Sequence, residues 1–370
     1  MRKNIFGYDV YINNEIDDLI FENEFEMYED ELENIDKKIF INISESKSID
    51  FLSSNPKLIL LDKDGFTMKS RVNIKWNLKK LNKGEIVVNI YIPRNKKSKL
   101  RRFISKFLSI GYENLYENIG QILHELVLIP ATFFFQDKVI VHGSCLYNKK
   151  YDKSVVFGGT GGVGKTSSLI EMGKNHDWIF LSDDIVVIDN EGKIYPNYAY
   201  PKIYAYNTIG DKILEKEILK NKTTMNRFQW YFLKKINPAR VRRRISPELL
   251  YNTEFKSPKL DYNLFLFRGN FSKNIDFEKI DSKNSSIFEK NIILNEYESF
   301  YKFIKWYEYN ARALNIKPYI TFDGLVKNYE DKYNKIFSNT ENYIVKIDIS
   351  MNHEKFKKEM VKQTEQLVKE

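Results

Sequence analysis

Apolar and polar residues alternate with a period of two in several short segments of the first 95 residues. The segments with this strand-like pattern are 8–12, 39–43, 58–61, 66–74 and 85–92. Asp64-Gly65, which separates two of them, is a dipeptide favoured in tight hairpin turns. An acidic stretch at 22–33 interrupts the pattern and is predicted to be a loop or a short helix. We therefore predict a β-rich N-terminal region over residues 1–95.

The period changes after residue 95. A basic segment, 94–102, is interpreted as a solvated linker rather than a phosphate-facing patch. Residues 103–135 are predicted to be helical, because their apolar positions recur at spacings of three and four. The residues on that face are Leu115, Ile119, Ile122, Leu123 and Leu126. Strands are then predicted at 139–141, 154–157, 178–181, 185–188 and 260–267, a turn at 190–192, and amphipathic helices at 296–314 and 353–368.

Residues 211–250 are predicted to form a basic helical insertion. Its basic and aromatic residues are Lys234, Lys235, Arg240, Arg242, Arg243, Arg244, Trp230, Tyr231 and Phe232. Aromatic side chains among arginines can bind single-stranded nucleic acid, but they also occur on an amphipathic helix with a solvated basic face. We favour the solvated face, so nucleic acid is not an expected partner. A third interpretation is a lid that binds the acceptor substrate.

Composition places the chain among folded proteins of a reducing compartment. The 370 residues are 42% hydrophobic, carry a net charge of +9 and have room for one large domain or two ordinary ones. Cys145 is the single cysteine, which excludes an intrachain disulfide. The N-terminal residues lack the apolar core of a secretory signal. The apolar run at 126–135 is too short to span a bilayer. We expect a cytoplasmic protein with no membrane partner.

The clearest chemical signal is a phosphate-binding P-loop of the form G-x-x-x-x-G-K-[ST]. Its residues are Gly159, Thr160, Gly161, Gly162, Val163, Gly164, Lys165 and Thr166, with Ser167 directly after them. Glycines let the backbone N–H groups point inward at an anion, and the helix that follows presents its positive N-terminus. Lys165 supplies a charge to the phosphates, and the Thr166 hydroxyl suits Mg²⁺. The sequence therefore predicts an ATP·Mg²⁺ site.

Two further signals lie near this motif. Ser182-Asp183-Asp184 follows a short apolar run, eighteen residues after Lys165. One of two adjacent carboxylates at a strand end could hold Mg²⁺, and the other could accept a proton from an attacking hydroxyl. His142 and Gly143 end the strand predicted at 139–141. Taken singly, His142 fits a structural role, but its position at a strand end leaves a functional one open.

This order of motifs resembles the HPr kinase/phosphorylase superfamily, whose P-loop type is shared with ATP-dependent phosphoenolpyruvate carboxykinases. The matching residues are His142-Gly143, the P-loop, and Asp183-Asp184. The wider layout is similar to smaller HPr-kinase-like proteins, including kinases found with lasso-peptide biosynthesis. The resemblance implies an α/β fold with a mixed, twisted sheet, a β-rich N-terminal region and helical insertions, and a catalytic domain over 96–370.

The resemblance also implies phosphoryl transfer from ATP to a hydroxyl. By position, Asp183 would be the base, Asp184 and Thr166 would lie near Mg²⁺, Lys165 would hold the phosphates, and His142 would line the acceptor side. HPr kinases usually carry an acidic residue where this chain has Ser167, and Arg268-Gly269 is only a faint echo of their later glycine-rich signature. An HPr substrate and a phosphorylase activity are therefore not expected.

Two functions follow as hypotheses. The first is an ATP- and Mg²⁺-dependent kinase acting on a hydroxyl of a peptide, a protein serine or a small metabolite. The second is a nucleotide-dependent regulator that binds or slowly hydrolyses ATP without an acceptor, which would suit the basic insertion and the divergent C-terminal half. The acceptor's identity depends on side chains brought together by folding, and a homo-oligomeric state stays open.

Overall fold

The computed structural model describes residues 1–17, 19, 21–30, 35–45, 48–55, 57–69, 74–93, 98–113 and 116–369, without the side chain of Tyr116. These residues form a mixed α/β fold with several β-sheets, two of them mixed. The predicted α/β class is therefore confirmed. No described helix combines the length and the apolar character needed to cross a bilayer.

The N-terminal residues form an eight-stranded sheet in the order β1-β2-β3-β8-β7-β6-β5-β4. Its strands are β1 (Arg2–Ile5), β2 (Tyr8–Asn14), β3 (Lys38–Glu45), β4 (Ser53–Ser54), β5 (Leu58–Asp62), β6 (Gly65–Lys69), β7 (Lys75–Lys80) and β8 (Glu85–Ile92). The predicted hairpin is present between β5 and β6, but its turn residues are Lys63 and Asp64, and Gly65 is the first residue of β6. In the acidic stretch a short 3₁₀ helix covers Glu22–Glu24, while residues 31–33 lie outside the described residues.

The segment predicted as one helix over 103–135 is two helices, α1 (Lys99–Phe107) and α2 (Ile119–Phe134). Helix α1 begins inside the basic segment, so a linker over all of 94–102 is wrong for its last residues. Ser98 accepts a hydrogen bond from the Arg101 N–H and caps this helix. Residues 94–97 and Leu115 lie outside the described part of the chain. In α2 the predicted face is buried at Ile119, Leu123 and Leu126.

The remaining strands are β9 (Lys138–Val141), β10 (Gly143–Asn148), β11 (Lys153–Gly158), β12 (Trp178–Ser182), β13 (Val186–Asp189), β14 (Ile194–Tyr195), β15 (Lys202–Tyr204), β16 (Arg242–Arg244), β17 (Tyr262–Gly269), β18 (Ile275–Lys279) and β19 (Glu341–Asp348). The remaining helices are α3 (Lys165–Met172), α4 (Lys212–Leu219), α5 (Thr224–Ile236), α6 (Ser282–Glu296), α7 (Glu298–Ala313), α8 (Phe322–Phe337) and α9 (His353–Lys369). The five strands, the turn and the two amphipathic helices predicted in this half are therefore present.

The basic insertion is only partly helical. After α4 and α5 the chain forms β16, which pairs with β15. The three residues of β16 are consecutive arginines. Arg243 is buried and donates to Asn226 and Gln229, and Arg244 is buried against Glu24. The prediction of a solvated basic face is therefore wrong for Arg243 and Arg244. Both guanidinium groups are buried, where a charge is stable only when it is paired or hydrogen-bonded.

A six-stranded mixed sheet, in the order β12-β10-β11-β17-β19-β18, carries the P-loop. β11 runs parallel to β17, and β17 runs parallel to β19. The P-loop follows the last residue of β11, and α3 follows the P-loop. The strand–loop–helix arrangement predicted from the motif is therefore present, at the edge of the sheet where ligands gather in open α/β folds.

Candidate functional site

Two of the four P-loop glycines, Gly159 and Gly164, occupy positions where a side chain would collide with the protein. Gly159 has φ 127°, and a Cβ there would lie 2.7 Å from the carbonyl oxygen of Leu266 on β17. Gly164 has φ 120°, and its Cβ would lie 2.5 Å from the ring of Phe356 on α9. A Cβ at Gly161 would meet no atom within 4 Å. The loop is thus fixed by its two ends, while its middle borders open space.

The three side chains that follow the P-loop glycines are all anchored. Lys165 donates to the carbonyl oxygens of Gly159 and Thr160, at 2.6 and 2.8 Å. Thr166 donates to Asp183. Ser167 is buried and accepts a hydrogen bond from Asn207 at 2.9 Å. Burial lowers the pKa of Lys165, although Asp184 and Asp183 oppose that shift.

Asp183 and Asp184 point to different partners because of a tight turn at the end of β12. Asp184 has φ 72°, a left-handed value that aspartate tolerates better than most residues. Asp183 is buried, and its Oδ1 accepts from Ser144 at 2.6 Å and from Thr166 at 3.1 Å. The side chain of Asp184 is 46% exposed and pairs with Lys202 at 2.7 Å. The two carboxylates therefore stand in different environments.

These environments separate the two pKa values. Burial and the neighbouring Asp184 charge raise the pKa of Asp183 to about 6, against the hydrogen bonds from Ser144 and Thr166. Burial acts in the same direction on Asp184, but Lys202, His142 and Lys165 outweigh it and hold its pKa well below the usual range. At neutral pH, Asp184 is firmly ionised while Asp183 is a carboxylate of raised basicity, which is the pattern expected for a general base.

His142 lies where the chain passes from β9 to β10. Its backbone N–H donates to Glu289 of α6 at 2.7 Å, and its Nδ1 is buried without a hydrogen-bond partner among the described residues. Burial and the nearby Lys165 lower the pKa of His142, so its imidazole is neutral at pH 7. A Cβ at Gly143 would lie 2.8 Å from the carbonyl oxygen of Phe157. The His-Gly step is therefore set by the close approach of β11.

A cleft of about 540 Å³ connects these groups. Its lining includes the P-loop residues Gly161, Gly162, Gly164, Lys165, Thr166 and Ser167, and also His142, Asp183 and Asp184. Part of the lining comes from the β15–β16 ribbon and the turn after β15. There Arg242 donates to the hydroxyl of Tyr204 at 2.8 Å, and Tyr204 stacks on Tyr206 with ring centroids 5.2 Å apart. This part of the lining is therefore both aromatic and basic.

Most of the residues predicted from the sequence line this one cleft. Gly159, Thr160 and Val163 complete the P-loop backbone beside it; the carbonyl of Val163 accepts from Arg268 at 3.0 Å. Two hydrogen bonds in the site differ from those expected if Thr166 and Asp184 held one metal ion. Thr166 bonds to Asp183, and Asp184 bonds to Lys202, so the assignment of Thr166 and Asp184 as a pair of metal ligands stays a prediction.

Sequence reasoning gave no role in the site to Ser144, Lys202 or Glu289, which contact or line the cleft. Arg242 also lines it and belongs to the basic insertion, for which a lid that binds the acceptor is one interpretation. Ser144 follows His142-Gly143 directly, and its position two residues after the histidine was the available signal. Lys202 and Glu289 stand alone in unremarkable segments, so only the folded chain brings them to the cleft.

The donor set fits ATP with Mg²⁺. The open space beside Gly161 and the buried, unpartnered Nδ1 of His142 border the cleft. Oxygen atoms of Thr166, Asp183 and Asp184 are the hard ligands that Mg²⁺ prefers, usually together with phosphate oxygens. Within the described ranges, no three His, Cys, Asp or Glu side chains cluster as a metal site. With these hard oxygen ligands, Thr166, Asp183 and Asp184 suit Mg²⁺ that is bound together with phosphate.

Comparison with known proteins does not assign the chain to a family. No protein-family model matches it, and no curated protein matches it significantly. The similarity to HPr-kinase-like proteins therefore stays a prediction that rests on the order of the motifs quoted above.

Proposed function

We propose that this protein is an ATP- and Mg²⁺-dependent kinase that transfers the γ-phosphoryl group to a hydroxyl of a peptide, a protein serine or a small metabolite. The observation that carries the proposal is the contact between the P-loop and the acidic turn. Thr166, the last residue of the motif, bonds to a buried carboxylate of raised pKa, Asp183. The groups that would bind phosphate and accept a proton are therefore close to each other in one cleft.

The ATP phosphates would bind at the P-loop N–H groups and at the start of α3. Lys165, whose ammonium group is held by loop carbonyls, would donate to the β and γ phosphates. Thr166 and Asp184 would hold Mg²⁺. The ion would neutralise charge on the phosphate oxygens during transfer.

Asp183 would act as the general base. The acceptor oxygen forms a bond to the γ-phosphorus, the bond from that phosphorus to the β-γ bridging oxygen breaks, and ADP leaves. The acceptor proton moves to the Asp183 carboxylate. Ser144 donates to this carboxylate and fixes its orientation, and a base of pKa near 6 is ionised yet basic enough to take a proton at neutral pH.

The acceptor would enter between His142 and the β15–β16 ribbon. Lys202, Tyr204 and Arg242 line that side and offer a stacking surface and two cations. Cations placed there suit an acceptor that carries negative charge near its hydroxyl. Arg243 and Arg244 are buried, so Arg242 is the residue of this basic run that we assign to the acceptor.

The test is transfer of label from γ-labelled ATP. Purified protein with Mg²⁺ is incubated with a small-molecule and peptide extract of its own cells, beside the Asp183→Asn variant and the exposed control Asp331→Asn. Label on an extract component with wild type and control, and none with Asp183→Asn, would establish a kinase and identify its acceptor. Label released only as inorganic phosphate would reject the kinase and favour the ATP-dependent regulator.

A further inference from the structure

Helix α1 has an apolar face that the other described residues leave uncovered. Leu100, Phe103, Ile104 and Phe107 recur at the three- and four-residue spacing of a helix stripe. Such a stripe normally packs into a core, yet no residue of α1 is buried, and every residue of this helix is described. Leu100 is 67% exposed, and Leu108, just beyond the helix, is 76% exposed.

The apolar surface continues onto α5. Four aromatic rings follow one another across the two helices, with centroids 6.4 Å apart for Phe103–Phe107, 6.3 Å for Phe107–Phe228 and 6.0 Å for Phe228–Phe232. Phe228 and Phe232 are exposed, as are Tyr231 and Ile236 of the same helix. We call this continuous surface, formed by Leu100, Phe103, Ile104, Phe107, Leu108, Phe228, Tyr231, Phe232 and Ile236, the aromatic ridge. A surface of this extent marks an interaction site.

Basic residues surround the aromatic ridge. The sequence has seven basic residues between 94 and 106 and no acidic residue between 86 and 112. In α1 these are Lys99, Arg101, Arg102 and Lys106, of which Lys106 pairs with Glu117. Lys235 of α5 and Arg240 add exposed basic groups. The occupant of the ridge should therefore be both apolar and anionic.

A second copy of the chain does not meet that requirement, because two such surfaces would bring like charges together. A groove for a partner helix is also a poor description, since residues that line a groove are mostly covered while Leu100 and Leu108 are mostly exposed. Protruding Leu and Phe side chains beside Lys and Arg are typical of helices that lie in a membrane interface. We propose that α1 and the exposed face of α5 bind the surface of an anionic membrane.

This inference differs from the expectation of no membrane partner, which rested on the absence of a spanning segment. A surface-bound helix inserts only its apolar face and needs no span. The proposal is also independent of kinase activity, since it uses no residue of the cleft. The aromatic ridge and the cleft are nevertheless joined by hydrogen bonds. Gln229 of α5 donates to the carbonyl oxygens of Phe107 and Ser109, and the backbone N–H of Arg242 donates to the carbonyl oxygen of Ile110.

The experiment is flotation of the full chain with vesicles of phosphatidylcholine alone or mixed with phosphatidylglycerol. We expect binding to the mixed vesicles that weakens as salt rises. Phe103→Ser with Phe228→Ser should abolish it. Arg101→Glu with Arg102→Glu should weaken it by about 30-fold or more, the effect of losing two basic groups at an anionic surface. Matched controls at exposed positions elsewhere, Leu81→Ser and Lys283→Glu with Lys327→Glu, should bind like wild type.

Several results would overturn the proposal. The first is that the wild-type protein does not bind the anionic vesicles at low salt. The second is that the ridge variants and their controls bind these vesicles equally well. Binding of an acidic peptide or a single-stranded oligonucleotide without vesicle binding would assign the ridge to a macromolecular partner instead. Near-ultraviolet circular dichroism of each variant shows that lost binding does not reflect lost folding.

Discussion

The Thr166 hydroxyl lies 3.1 Å from Oδ1 of Asp183 and donates a hydrogen bond to it. Thr166 lies in the first turn of α3, and Asp183 directly follows β12 of the same sheet, seventeen residues further along the chain. Because this contact places a phosphate-binding loop beside a buried carboxylate, it links the two halves of the proposed reaction.

Asp183→Asn should lower turnover by about 10²–10⁴-fold, the usual contribution of a general base. The amide can still accept the hydrogen bonds from Ser144 and Thr166 but cannot take a proton, so ATP binding should change little. Lys165→Ala should weaken both ATP binding and turnover. Two measurements separate these effects: turnover in a phosphoryl-transfer assay, and the Kd for ATP by calorimetry. Wild-type turnover in Asp183→Asn would refute the base assignment.

The pH profile should follow the same carboxylate. With the pKa of Asp183 raised to about 6, the base is protonated below that pH and ionised above it. The value of kcat/KM should therefore rise with pH through about 6 and then level off. Asp331→Asn, a substitution at an exposed position, should show the same rise of kcat/KM with pH. A profile that is flat between pH 5 and 7 would exclude Asp183 as the titrating base.

Arg242→Ala should raise the KM for the acceptor, because Arg242 lines the cleft and is the residue of the basic run that we assign to the acceptor. The Kd for ATP should stay near the wild-type value. Loss of one charge-assisted hydrogen bond corresponds to about 10-fold in KM. Arg240→Ala is the matched control, since this arginine lies two residues earlier and is exposed. Equal KM values for the two variants would remove Arg242 from the acceptor site.

Gly164→Ala and Gly161→Ala should separate stability from ligand binding. A Cβ at residue 164 meets the Phe356 ring and must adopt φ 120°, so unfolding free energy should fall by about 1–3 kcal/mol. At residue 161 the Cβ meets nothing within 4 Å, so stability should hold while ATP binding weakens. Urea unfolding and calorimetry measure the two quantities. Wild-type ATP affinity in Gly161→Ala would place the phosphates elsewhere.

Glu289 should make stability depend on pH. Its pKa is raised to about 7 by burial, so the folded state keeps a proton that the unfolded state releases near pH 4.5. The stabilisation from Glu289 is therefore complete below pH 4.5. As pH rises to 7 this stabilisation is lost, and the free energy of unfolding falls by about 3 kcal/mol. Urea unfolding of Glu289→Gln should show a smaller fall over this window than wild type. Glu298→Gln, at an exposed position, should retain the wild-type fall.

The sequence predicted those parts of the structure that depend on local pattern. The P-loop, the strand before it and the helix after it follow from glycine spacing and residue period. The α/β class follows from alternating strand and helix patterns. The missed parts depend on distant segments. Lys202 reaches Asp184, and Glu289 of α6 reaches the backbone of His142 across 147 residues. No local period marks either contact.

The basic run shows a second kind of limit. Arg242, Arg243 and Arg244 are alike in sequence, and only the pairing of β16 with β15 separates them. Before that pairing is known, a run of arginines on a predicted helix is assigned to solvent. In the structure, one lines the cleft and two are buried. Strand geometry turns Arg243 to the opposite face from Arg242, whereas Arg244 is buried where it pairs with Glu24.

The short ribbon also constrains how this protein can vary in evolution. Residues 205–241 connect β15 to β16 through α4 and α5, and the exposed turns between these elements tolerate changes of length at small cost. The three paired residues have no such freedom, because a shift of one position exchanges the faces of all their side chains. Insertions before residue 242 should therefore be frequent among descendants of this gene. An insertion between Arg242 and Arg244 should be rare, since it would place a different arginine in the cleft.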